Sequence, residues 1–197
     1  MGRRIGRKRL YSLNKVGQSV SSSVAPGVSA SVGHRKVSRQ GQEIVTEITV
    51  DLGFGGAGLY AAAGVDNGII GYSGSHPNPA NQDAAHLGMI NRAENGIVTT
   101  VEMICTETAA GGDTKIQLAY NSSGTKGVSS SAGTTIIHGG TIAAGTASSK
   151  NYDANELEQQ FLYLQTGQAK QADRAWDQYT AGKLIIRLYG WATPDDL

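Results

Sequence analysis

The sequence predicts an all-β protein: an antiparallel β-sandwich of jelly-roll type, about eight strands, with an extended basic N-terminal arm. Three observations predict it. Gly accounts for 27 of the 197 residues and charged residues for only 17%, a composition of many turns and few solvated helix faces. Short runs rich in Val, Ile, Thr and aromatic residues alternate with period two and are separated by Gly, Asn and Ser. The helical patterns of about 10–15 residues that a parallel α/β fold needs between strands are missing.

Charge divides the chain. Residues 1–42 carry nine basic side chains and no carboxylate, whereas residues 43–197 hold 8 Lys or Arg against 16 Asp or Glu, so a +9 arm is joined to a −8 body within a net charge of +1. That predicts a tether, 1–42, and a globular module, 43–197, and an acidic body is a place for a basic arm to lie. About 155 residues suffice for an independent core. The single cysteine, Cys105, excludes an internal disulfide framework and reads as a small buried hydrophobe in the run Val101, Met103, Cys105. No apolar run approaches the roughly 18 residues of a membrane span. The start lacks the apolar region of a secretory signal, and Gly2, Gly6, Gly17 and Pro26 make a poor amphipathic transit helix.

The elements follow in order. Residues 17–42 are Ser/Gly-rich with scattered Val and read as a linker short of apolar mass. Ile44–Leu52 is a half-buried strand: Ile44, Thr46, Ile48, Val50 and Leu52 share one face, and Val45, Glu47, Thr49 and Asp51 the other. Residues 59–63 and 69–72 form short apolar pieces around the hairpin signal Asn67-Gly68, residues 73–85 form a loop, and 86–93 is ambiguous. Ile97–Glu107 is the second long strand, with Ile97, Thr99, Val101, Met103 and Cys105 on one face. Lys115–Tyr120, Thr134–His138 and Phe161–Gln165 are further strands; 148–160 is polar with a helical turn near Asn155–Gln160, and Gln168–Tyr179 is a short helix or decorated loop. Lys183–Trp191 places Leu184, Ile186, Leu188 and Gly190 on one face and Lys183, Ile185, Arg187, Tyr189 and Trp191 on the other. Two half-apolar faces mark a central strand or an outer face packed on a partner.

Chemistry-bearing motifs are few. Gly53-Phe54-Gly55-Gly56-Ala57-Gly58 matches a dinucleotide-binding pattern, but that fingerprint needs a helix opening at its last glycine, and three more glycines follow within 14 residues. A turn is the better reading. His34, His76, His86 and His138 show no metal-ligand spacing, no nucleophile elbow is present, and the pairs Asp195-Asp196 and Glu156/Glu158 read as solvated surface. The chain is therefore read as non-enzymatic, with no catalytic residue, metal or cofactor. The contact element is the start: Arg3, Arg4, Arg7, Lys8, Arg9 and Lys15 with Ile5, Leu10, Tyr11 and Leu13 interleaved. Six cations suit phosphates, as in nucleic acid. The interleaved apolar residues favour docking on protein, with Arg forks on carboxylates. A solvated tail is the bland alternative.

The segments VTTVEMICTETAAGGDTKIQLAYNSSG (98–124), LYLQTG (162–167) and YTAGKLIIRLYGW (179–191), with the start RRIGRKRLYSLNKVGQS, resemble small virion proteins of marine tailed bacteriophages, cyanophages included. The resemblance covers about a third of the chain and rests on structural strands and turns. It implies a capsid decoration (cement) protein on the outer surface of the phage head, a homotrimer that clamps neighbouring major capsid protein subunits with its arm. Ile185, Tyr189 and Trp191 would then be oligomer contacts. Trp176 and Tyr179 either join them or cap the open end of the sandwich. A head-fibre, connector or tail-associated jelly roll binding a host glycan or another virion protein is the alternative.

Overall fold

The computed structural model describes residues 20–22, 33–53, 59–62, 67–73, 86–126, 133–137, 143–153, 155–167 and 176–192. In chain order these form β1 (Val20–Ser22), β2 (Gly33–Gln40), β3 (Glu43–Asp51), β4 (Leu59–Ala62), β5 (Ile69–Ser73), β6 (Gly88–Met89), α1 (Arg92–Asn95), β7 (Ile97–Ala110), β8 (Ile116–Asn121), β9 (Thr134–Ile137), β10 (Ala147–Asn151), β11 (Phe161–Thr166), β12 (Trp176–Gln178) and β13 (Ala181–Trp191).

All pairings are antiparallel. One sheet runs β1-β2-β3-β13-β7-β10 and the other β12-β4-β5-β11-β8-β9, with β6 also against β11. Take β3, β5, β7, β8, β9, β10, β11 and β13 as strands one to eight. The sheets then read 1-8-3-6 and 2-7-4-5. First pairs with last, second with seventh, third with sixth and fourth with fifth: one long hairpin rolled up, which is the jelly-roll order. β1, β2, β4 and β12 extend its edges, and β6 pairs with β11 on the same side as β5.

The predicted alternation builds the core. β3 buries every second residue from Ile44 to Val50, and β13 buries Leu184, Ile186, Leu188 and Gly190. Of these, Ile48, Val50, Leu184, Ile186 and Leu188 meet Ile70, Ile116, Leu118, Leu162 and Leu164 of the second sheet in a single cluster. β13 lies between β3 and β7 and is the central strand that its two half-apolar faces indicate. Gly190 faces inward because α1 lies there: a Cβ on it would overlap the Asn95 carbonyl.

Four expectations change. Residues 33–40, placed in the arm by composition, form β2, paired with β3 over its whole length, so the arm's boundary does not fall at 42. One apolar residue is enough there, because Val37 closes a small cluster with Ile44 and Ala192 while backbone pairing supplies the rest. In β7, the face expected for Ile97 and Thr99 is inverted. Tyr189 pairs with Thr100 and Gly190 with Val98, leaving Thr99 as a bulge residue, so Val98 is buried and Ile97 and Thr99 only half-buried. β10 (ASSKN) is exposed at every position and carries no alternation to detect. β12 forms a strand, with Trp176 opposite Ala62, where a helix or loop was expected. The helical turn expected near 155–160 is a run of i→i−3 bonds, Glu158 N to Asn155 O and Gln160 N to Leu157 O.

Candidate interaction surface

The two sheets differ on their outward faces. In the second sheet these positions are covered: Ile69, Ala119, Tyr163 and Gln165 are all fully buried. Gln165 Nε2 donates to Gln117 Oε1 (3.2 Å) and to Thr135 Oγ1 (3.1 Å). The first sheet presents the half-exposed face of β3, β13 and β7.

That face is a ladder of ordered rows. The cations lie on the central strand and the acids on its neighbours. Lys183 stands between Asp51 and Glu107, with Nζ 3.9 and 2.7 Å from their carboxylates. Arg187 stands between Glu47 and Glu102: Nε donates to Glu47 Oε2 at 3.0 Å, and Nη1 lies 3.7 Å from Glu102 Oε2. Tyr189 Oη donates to Glu102 at 2.9 Å. Bonding to Glu107 holds the Lys183 ammonium above its usual range, and bonding to Glu47 does the same for Arg187. Burial first, then the Glu102 contact, pushes the Tyr189 phenol up. Pairs this exposed contribute little stability; their effect is to fix registration, and with two cations among four carboxylates the ladder stays acidic.

Ile185 and Tyr189 sit half-exposed among these rows. Trp191 ends the strand at 52% exposure, more than any other described large hydrophobic. It lies between Glu43 of β3 and Ile97 of β7. Ile97 and Glu158 line a common shallow depression with Arg92 and Leu157. An exposed aromatic with apolar and acidic neighbours is the most contact-competent patch of the described surface.

Of the expected contact residues, Ile185, Tyr189 and Trp191 thus share one face. Tyr179 does not join them: it is fully buried, its hydroxyl donates to the Asp113 carbonyl at 3.0 Å, and it closes the end of the sandwich. The burial cost of its ring and hydroxyl is met inside the fold, so it is no oligomer contact. β12 places the Trp176 backbone on an edge strand; its side chain lies outside the described residues. Arg3, Arg4, Ile5, Arg7, Lys8, Arg9, Leu10, Tyr11 and Lys15 likewise lie outside them.

A buried polar knot was not legible in the sequence. Arg35 of β2 turns inward, where Nη2 contacts Glu94 Oε2 at 3.0 Å and donates to Asn95 Oδ1 at 3.1 Å. Asn95 Nδ2 donates to Thr46 Oγ1 at 2.7 Å, and the Asn91 side chain caps α1 through the Glu94 N–H. Burial lowers the Arg35 pKa, and Glu94 opposes that shift. The knot ties the basic N-terminal region to the body. Its only sequence signal is one Arg in phase with Val37 on a strand otherwise read as linker.

The remaining groups read as structure. Cys105 is buried, its thiol bonded to the Glu107 carbonyl, and burial pushes its pKa up, which makes it unreactive. His86 is buried, edge-on to Phe161 and Tyr163 with ring centroids 4.9 and 6.2 Å away, and burial lowers its pKa. Among the described residues no three His, Cys, Asp or Glu side chains gather as a metal site, and no helix is long and apolar enough to cross a membrane. The residues after the glycine run open strand β4 at Leu59, not the helix a dinucleotide site requires. No family model matches this chain, and a search of curated protein sequences returns no match.

Proposed function

We propose that this chain is a structural virion protein, a capsid decoration protein that stabilises a tailed-phage head by binding neighbouring major capsid subunits on the outer surface. It acts as a homo-oligomer and without catalysis. The observation that carries the reading is the combination of a jelly-roll body with a basic segment rooted in its sheet: the six cations of residues 3–15 lead directly into β1, the edge strand of the first sheet. Jelly rolls recur in viral shells and in lectins. A chain segment that orders on contact wraps more surface than a rigid patch of equal mass. The resemblance of residues 98–124 and 179–191 to phage virion proteins supports the same reading. The ordered face around Lys183 and Arg187, with Ile185 between the rows and Tyr189 beyond them, offers polar and apolar groups for repeated modest contacts.

The test is co-sedimentation with purified undecorated heads. Because β2 belongs to the fold, the truncation that removes the arm and spares the body ends at residue 19. Saturable binding by the full chain, lost on that truncation, is the expected result. Retained binding moves the contact to the sheet face around Tyr189. Binding by neither form sinks the decoration reading and favours a glycan-binding or tail-associated module.

A further inference from the structure

Strand polarity decides where the basic segment approaches the body. β1 is antiparallel to β2, with Val20 opposite Val37 and Ser22 opposite Arg35. β2 ends at Arg39 and Gln40, opposite Ile44 and Glu43, and Glu43 pairs with Trp191. The chain upstream of Val20 therefore comes from the end of the sheet that carries Trp191. Val20 stands three strands and three residues away from Trp191, about 14 Å across and 10 Å along the sheet, roughly 17 Å in all. Arg9 lies eleven residues upstream of Val20, and that length of extended chain spans about 36 Å.

The end it approaches is complementary. Residues 1–19 hold six cations and no acid, with Ile5, Leu10, Tyr11 and Leu13 among them. Trp191 offers an exposed ring, Ile97 an apolar neighbour, and Glu43 and Glu158 carboxylates that form no ion pair among the described residues. Of the nearby cations, Arg39 is held on the Ala93 carbonyl and Arg35 on Glu94, while Arg92 lines the depression beside Ile97 and Glu158. An Arg over a Trp face flanked by carboxylates gains both cation–π and charge-assisted contacts.

We propose that the Trp191 end of the first sheet is the docking site for this chain's own segment Arg3–Lys15, which rests there in the free protein. The tether makes the contact intramolecular, at an effective concentration of about 1 mM. A site of only about 0.1 mM affinity then holds the segment about nine-tenths of the time. A competing partner displaces it, so the arm's cations are masked until that partner is met. The inference stands whether or not that partner is a capsid.

Trypsin cleavage after Arg7 and Arg9, followed by mass spectrometry, measures the docking in the full chain. The synthetic peptide 1–19 serves as the free reference. The docked segment is cut about tenfold more slowly than the peptide, at a rate independent of protein concentration. Trp191→Ala and Glu43→Lys each restore most of the cleavage rate, and so does 1 M salt, where the screening length shrinks to about 3 Å. Salt perturbs the contact without a substitution, and circular dichroism confirms that each variant is folded. Cleavage as fast as in the peptide overturns the proposal. Protection that grows with protein concentration assigns the site to a second copy and overturns the intramolecular occupant. Protection unchanged by Trp191→Ala, Glu43→Lys and salt overturns the location.

Discussion

Arg35 and Glu94 meet at 3.0 Å, and only the carboxylate faces water: the Arg35 side chain is 13% exposed and that of Glu94 41%. The pair joins a strand of the basic N-terminal region to the helical turn that precedes β7. Its asymmetry makes the two partners unequal. Removing Glu94 strands a desolvated cation, whereas removing the cation leaves a carboxylate that water can reach.

Glu94→Ala is therefore expected to destabilise by about 1–2 kcal/mol, and Arg35→Met, which keeps the apolar stem, by less than about 1 kcal/mol. Urea denaturation midpoints at pH 7 order the two variants. Equal losses would show that the pair acts as a simple surface bridge.

The two faces of β13 separate by substitution at adjacent positions. Ile186 is fully buried in the inter-sheet core and Ile185 half-exposed on the outer face. Ile186→Ala is expected to cost about 3–4 kcal/mol and Ile185→Ala about 1 kcal/mol or less in the isolated protein. Chemical denaturation reads the difference, and a reversed order would refute the register.

Glycine positions give a second contrast. Gly190→Ala drives a Cβ into the Asn95 carbonyl within the central strand, and is expected to abolish soluble folded protein or lower the melting temperature by more than about 10 °C. At Gly41 there is open space, and φ is +62°, so Gly41→Ala meets only backbone strain of about 1 kcal/mol. Thermal melts of both variants check this.

Acid weakens the fold through His86. Its imidazole is held below the ordinary 6.5 by burial. As pH falls, the unfolded chain takes up the proton before the folded one does. The stability tied to the neutral ring is thus complete above about pH 6.5 and is lost as pH falls through that value toward the lower folded pKa. The melting temperature is expected to decline from pH 7.5 to 5.5, and His86→Phe to flatten that decline. An identical slope in wild type and variant would assign the effect to other groups.

Two strands were legible because alternation encodes burial: β3 and β13 follow from their apolar spacing, whereas β8 and β11, buried on both faces, were legible only as short apolar runs. β10 was not, because an edge strand exposed at all five positions is held by its backbone pairing with β7 and leaves no trace in side-chain polarity. The inversion at Val98 was hidden for another reason: a bulge is a property of two paired strands, and periodicity reads one strand at a time. The candidate surface was half legible. Lys183, Arg187, Glu47 and Asp51 lay in phase on their own strands, but which acid meets which cation is set by pairing between positions 140 apart, as for Arg187 and Glu47. For Tyr179 the sequence left interface contact and end cap both open, because a polar context does not distinguish them; its burial decides for the cap.

That same separation sets a schedule for synthesis. The centre of the first sheet is the last of the eight jelly-roll strands to be made, and β3 waits for it. At about 5–20 residues per second, 140 residues take about 7–28 s, during which the apolar row from Ile44 to Val50 has no β13 beside it. A nascent chain in that interval is one open to chaperones and to mispairing with its neighbours. Translation rate and temperature therefore bear on how much of the chain reaches the finished fold, alongside the stability of that fold.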